Sequence, residues 1–248
     1  MDVAVVGGTG KTGRAVCAAL AGVGATARPL GRAAFADLPA VLAGVDAVHL
    51  IAPNLHPDEP AYVARVLDGM AEAGIRRVVY HSVASPYAPA MPHHLGKAIA
   101  EDVVRRSDAD WTILQPCAYV QNLLPAVRTG ELAVPYSTET RFGLVDLDDV
   151  GAAAAVVLTE TGHVGATYEL GGPAPVSVTD VAAIATDVLG RPVTARRTDP
   201  DEDVHPWLRA MFDYYDRYGL PAGPLPLRAL LGRDPASVRA VLERDGNT

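Results

Sequence analysis

Residues 5–13 read VVGGTGKTG, and the register of their glycines decides how the chain begins to fold. Gly10, Lys11 and Thr12 imitate the end of a triphosphate loop, which needs a glycine, four residues and then Gly-Lys-Ser/Thr to wrap phosphates in backbone amides. Counting back from Gly10 puts that first glycine at Val5, inside an apolar run, so the loop is too short. The later apolar stretch AVHLIAP at 47–53 also carries no carboxylate for magnesium. Gly7, Gly10 and Gly13 fit a dinucleotide turn instead. Gly7 ends a strand, Gly10 lets backbone approach a pyrophosphate, and Gly13 lets the new helix pack against the sheet.

Working outward, DVAVV at 2–6 reads as a buried parallel strand and residues 13–25 as a small-residue amphipathic helix. Strands are predicted at 25–30, 47–53, 76–83, 110–116 and 167–171. Helices are predicted at 38–45, 60–75, 95–107, 150–159 and 177–189. This alternation specifies an α/β protein with a doubly wound parallel Rossmann sheet over residues 1–190. Parts of 120–145 are expected to contribute to a substrate pocket. Beyond about 191 the chain turns proline-rich and acidic, and 191–248 reads as a small C-terminal substrate-binding lobe or lid. The 14 residues GRAAFADLPAVLAG before the strand at 47 leave no room for both a helix and a strand of usual length, so the adenine side of the sheet is expected to be trimmed.

The chain has 248 residues, 49% of them apolar, enough to bury roughly 70–75% of its unfolded surface. A formal net charge of -8 opposes attraction to nucleic acid or anionic lipid. No apolar run approaches the roughly 20 residues that span a bilayer. The N-terminus lacks the basic and small-residue features of a signal peptide, and Cys17 and Cys117 lie far apart, so a reducing cytoplasmic setting is expected. The partner expected is a small molecule, aromatic or quinone-like, with no nucleic acid or membrane partner, and the chain a monomer or homodimer. No His/Cys cluster has metal-ligand spacing, so no metal is assigned. Asp146, Asp148 and Asp149 precede a helix and read as caps.

An acidic residue at the end of the second strand would bind the ribose 2′-hydroxyl of NAD, but here Arg28 and Arg32 are offered, with no carboxylate before Asp37. Arginine suits a 2′-phosphate, which favours NADP, with Arg32 as the candidate. Ser82, at a strand's C-terminal end, reads either as a hydrogen-bond partner for substrate or as a turn cap.

The G-x-x-G-x-x-G spacing is a variant of the extended short-chain dehydrogenase class, and the chain resembles its atypical NmrA-like branch, which includes NADPH-quinone reductases and redox-sensing regulators. The matching pieces include VVGGTGKTGRAV, LAGVDAVHLIAP, AGIRRVVYHSV, PHHLGKAIAEDVVRRSDADWTILQPCAYVQNLL and VDLDDVGAAAAVVL. The resemblance implies that Thr9, Gly10, Lys11 and Thr12 serve the pyrophosphate, that Ala52 and Pro53 line the adenosine side, and that Lys97 reaches the nicotinamide ribose. It also places Pro116, Tyr119 and Asn122 beside the nicotinamide. The Tyr-x-x-x-Lys pair of ordinary members stands here as His93 and Lys97, and the family's frequent Arg-Pro stands as Gln115-Pro116.

These residues lead to the expectation of an NADP-dependent oxidoreductase passing hydride to a quinone or conjugated carbonyl, as in tailoring of secondary metabolites. His93, Lys97, Ser82 and Tyr119 are its candidate catalytic residues, with His93 a proton source near neutral pH. The missing tyrosine favours acceptors whose reduced anion is stabilised. A non-enzymatic NADP sensor and a Rossmann scaffold reused for non-redox chemistry such as cyclisation stay open as alternatives.

Overall fold

Alternation along the first strand sorts its side chains between two apolar layers. Val3 and Val5 join one buried cluster, and Ala4 and Val6 the other. In the computed structural model, which describes residues 1–246, that strand is β1 (Asp2–Val6). It is followed by α1 (Lys11–Gly22), β2 (Thr26–Leu30), α2 (Leu38–Leu42), β3 (Ala47–Leu50), α3 (Glu59–Glu72), β4 (Arg77–His81), α4 (Pro92–Arg105) and β5 (Asp110–Pro116). Then come α5 (Leu124–Thr129), β6 (Glu131–Val134), α6 (Leu147–Thr159), β7 (Ala166–Leu170), α7 (Val178–Leu189) and β8 (Thr194–Arg197). The helices α8 (Pro206–Tyr218), α9 (Leu225–Leu231) and α10 (Val238–Gly246) end the described chain.

Six strands form a parallel sheet in the order β2-β1-β3-β4-β5-β7, and β6 pairs with β8 in a separate parallel pair. The chain steps from β1 outward to β2 and then back across to β3. The crevice where ligands settle in such sheets therefore opens at the C-terminal ends of β1 and β3. The doubly wound sheet stands as expected, and only β2 lies beyond β1. Between β2 and β3 the chain fits a 3-10 turn at Arg32–Ala36 and the five-residue α2, without a further strand.

Two helix starts differ usefully from expectation. α1 begins at Lys11, placing Gly13 within its first turn, and α4 begins at Pro92, whose fixed φ and missing N–H suit a first helical position. His93 and Lys97 thereby fall one helical turn apart on α4.

Buried carboxylates tie the C-terminal segment to the start of α6. Asp146 caps α6 and accepts both oxygens' worth of hydrogen bonds from Arg244 at 2.9 and 3.0 Å. Asp149 accepts from Arg233 Nη2 and the Ala236 amide, each at 2.6 Å. Among the described residues no helix is long and apolar enough to cross a membrane, and no three His, Cys, Asp or Glu side chains are grouped to hold a metal.

Candidate active site

One cavity of about 720 Å³ runs along the C-terminal ends of the strands. Its wall contains Gly7, Thr9, Gly10, Lys11, Thr12 and Gly13 from the glycine turn, and Arg32, Ala52 and Pro53 from the ends of β2 and β3. Ser82, His93, Lys97, Pro116, Tyr119 and Asn122 line it too, so every residue singled out as a site candidate borders the same space.

The glycine turn fits a pyrophosphate. A Cβ on Gly13 would stand 2.3 Å from the Gly7 carbonyl oxygen, so only glycine lets α1 start this close to the strand. A Cβ on Gly10 would meet only that same oxygen, at 3.3 Å, and otherwise fill open space beside the cavity. α1 has no side-chain cap and no acidic residue in its first turn. Its leading amides and positive dipole end are left for an anion. Arg14 donates to the Thr9 carbonyl at 2.7 Å and stiffens the loop. Lys11 donates to Asn122 Oδ1 across the cavity, and burial lowers its pKa.

The arginine on β2 and the one just after it separate cleanly. Arg28 Nη1 donates to the Val41 and Ala43 carbonyls, at 3.2 Å each, and is committed to the fold. Arg32 opens the 3-10 turn, is exposed and borders the cavity. Asp37, the first carboxylate after β2, caps α2 through the Ala40 amide.

At the other end, alternate strand residues feed two polar clusters. On the α3–α4 face, Lys97 Nζ donates to Glu59 Oε1 at 2.7 Å, and the Tyr80 hydroxyl donates to the same oxygen at 2.6 Å. Beside it, Ser82 donates its hydroxyl hydrogen to Glu101 Oε1, which also accepts from Gln115 Nε2 at 2.7 Å. The Ser82 proton is thus directed into the protein. On the α1–α6 face, His81 Nε2 meets the Tyr119 hydroxyl at 2.7 Å, with the His49 ring 5.5 Å from that of His81. Burial raises the Tyr119 pKa, so this hydroxyl stays protonated.

His93 is 7% exposed, and burial, with Lys97 and His205 nearby, lowers its pKa to about 4. At neutral pH its imidazole is uncharged. It can offer an N–H to a ligand oxygen, but it is not the reserve of acid that an ordinary histidine pKa suggested. Burial likewise lowers His94 to about 4, and its ring nitrogens face the Ser85 carbonyl at 3.3 Å and the Tyr215 hydroxyl at 3.4 Å. Beyond them the wall is aromatic. Tyr136, Phe142 and Tyr215 meet with centroids 5.4 to 5.7 Å apart, and Met211 and Phe212 join them from α8.

Sequence reasoning named Tyr119 and Ser82 but missed His81 and Glu59. His81 sits next to Ser82 at the same strand end, where the rule that singled out Ser82 also points. Glu59 carries no comparable signal, since a glutamate in the first turn of a helix ordinarily serves the helix dipole.

A parallel sheet with a glycine turn feeding an uncapped helix, above a long cleft with a cationic end and an aromatic end, defines a dinucleotide-binding protein. A family model described as NAD(P)H-binding matches residues 30–161, starting at the end of β2 and so leaving the glycine turn outside the match. The chain is 35% identical over 162 residues to an NAD(P)H azoreductase of Xenophilus azovorans, a match covering 63% of this chain and 56% of that enzyme. It is 31% identical over 214 residues to a (4-alkanoyl-5-oxo-2,5-dihydrofuran-3-yl)methyl phosphate reductase of Streptomyces griseus, covering 77% of this chain and 75% of the relative. The solved NADPH-dependent quinone oxidoreductase QOR2 of Escherichia coli, complexed with NADPH, shares the fold. Its TM-score is 0.83 at 22% identity, with 99% of this chain and 100% of that one covered. The chain belongs to the NAD(P)H-binding family, the affiliation implied by its resemblance to NmrA-like reductases.

Proposed function

We propose that the protein is an NADPH-dependent oxidoreductase that reduces a quinone or related conjugated carbonyl. The observation that carries this reading is the continuity of the cleft. One cavity joins an anion-ready helix start to an aromatic chamber holding a neutral histidine. The named activities of the relatives, on azo compounds and a butenolide, are reductions of conjugated acceptors and agree with it.

Bound NADPH supplies hydride chemistry. The chain's own part is to hold and orient. The amides after Gly10 receive the pyrophosphate, Arg32 the 2′-phosphate, and Lys97 donates to ribose hydroxyls. His93 offers its N–H to the acceptor's oxygen and steadies the negative charge that grows there. One hydride and one solvent proton convert a quinone to a hydroquinone, and the stabilised oxyanion needs no strong acid from the protein. The chamber is formed jointly by residues 119–145 and by the segment after 190, which together act as the substrate-binding part beside a cofactor-binding unit.

Purified protein is expected to oxidise NADPH faster than NADH in the presence of 1,4-quinones. Protein that binds NADPH yet oxidises it with no member of a quinone, enone and iminium panel would sink this reading.

A further inference from the structure

No aspartate or glutamate lines the cavity among the described residues, so a cationic ligand finds no counter-ion there. The basic side chains are accounted for as well. Lys11 stands at the start of α1 and Arg32 just past β2, in the half that suits the cofactor. Lys97 is the ammonium beside His93 and His94, and Glu59 matches its charge at 2.7 Å from behind the wall. Glu59 is only 2% exposed and gives one oxygen to both Lys97 and Tyr80. His93 and His94 are held uncharged, as burial lowers both to about 4.

Resting on the redox reading, we propose that the aromatic half of the site selects planar acceptors that carry no formal charge. Glu59 is then the specificity-determining residue, because it cancels Lys97. An ion entering this chamber sheds its water with no partner to replace it, whereas a neutral quinone loses little and gains aromatic contact. Without Glu59, Lys97 would stand unmatched and attract an anion. The chain's net charge of -8 draws cations toward the surface at low ionic strength but gives them no partner inside. Discrimination against cations therefore persists when salt screens that field.

The test uses the full chain with NADPH at physiological salt. The acceptors are 1,4-naphthoquinone, its 2-sulfonate, an uncharged 2-sulfonamide of the same size, a phosphate-bearing butenolide and a cationic triphenylmethane dye. NADPH oxidation gives turnover. Quenching of tryptophan fluorescence gives binding independently, since Trp207 lies nearly parallel to His93 with ring centroids 6.5 Å apart. The uncharged compounds are expected to lead each charged one by about tenfold or more in both kcat/KM and Kd. Glu59→Gln unmatches Lys97, and Leu208→Lys adds an ammonium to the cavity wall. Each is expected to shrink the gap between sulfonamide and sulfonate by about tenfold, the second without changing NADPH affinity. The proposal is overturned if the wild-type chain handles the sulfonate or the dye within about threefold of the neutral quinone. It is also overturned if neither variant moves the ratio. If no compound consumes NADPH while quenching still ranks neutral above charged, the hydride reading fails and the selectivity stands.

Discussion

His81 Nε2 lies 2.7 Å from the Tyr119 hydroxyl, and this contact, with a hydrogen bond to Thr12, occupies the only polar atom of that tyrosine's side chain. Tyr119 therefore offers the cavity its ring, with Lys11 Nζ 5.8 Å from the ring centroid, rather than its proton. Tyr119→Phe is expected to leave His81 unpaired and to destabilise the chain by about 1–2 kcal/mol, with kcat/KM changed by less than about threefold. Thermal melts and quinone turnover measured on the same preparation check this. A loss of about a hundredfold in rate at an unchanged Tm would make the hydroxyl the proton donor instead.

His49 sits on β3 in register with Val5 and Val79, with neither ring nitrogen hydrogen-bonded. Burial lowers its pKa to about 3. Below its ordinary value of about 6.5, the unfolded chain binds a proton that folded His49 refuses. Its contribution to stability is full above that value and declines as pH falls toward 3, by up to about 1.4 kcal/mol per pH unit. Burial shifts His81, His93 and His94 in the same direction, so the acid limb between about pH 6.5 and 4 is steep. His49→Leu is expected to stabilise the chain at neutral pH by about 1–2 kcal/mol and to flatten that limb. Urea unfolding across that pH range measures both, and an unchanged slope would show that His49 titrates freely.

The parallel strands were legible because burial on both faces writes them as apolar runs, as in VAVV and AVHL, and the glycine turn was legible because its spacing is a steric requirement. Arg32 could be told from Arg28 only by position after the strand, yet the structure supplies a physical reason in the carbonyls that occupy Arg28. What the sequence hid depends on distant side chains meeting. β6 and β8 are four-residue strands whose partners, such as Glu131 and Thr194, stand 63 positions apart in the chain, and Glu59 meets Lys97 only because α3 and α4 pack side by side. The neutral state of His93 was hidden for the same reason, because a histidine's pKa is set by burial that local pattern does not show.

Gly10 and Gly13 separate cofactor binding from folding. Gly10 has an extended N-cap backbone, φ -78° and ψ 173°, that alanine adopts freely, and its Cβ would project beside the cavity. Gly10→Ala is expected to weaken NADPH binding by about tenfold or more while shifting Tm little. Gly13→Ala drives a methyl into the Gly7 carbonyl and is expected to destabilise the fold by about 2 kcal/mol or more. Calorimetric titration beside thermal melts distinguishes the two. Equal loss of Tm in both variants would remove the argument for a pyrophosphate at Gly10.

Arg32 and Arg28 give the sharpest test of cofactor choice, because they lie four residues apart and differ in what they already hold. Arg32→Ala is expected to weaken NADPH binding by roughly ten- to a hundredfold and to leave NADH almost untouched, since a charge-assisted contact to the 2′-phosphate is lost and nothing else moves. Arg28→Ala removes the brace on the Val41 and Ala43 carbonyls, so it is expected to lower Tm with the ratio of NADPH to NADH affinity unchanged. The reverse outcome, a ratio altered by Arg28→Ala and not by Arg32→Ala, would mean that α2 shifts on binding and frees Arg28 to take the phosphate. Measuring both affinities for both variants decides which arginine reads the cofactor.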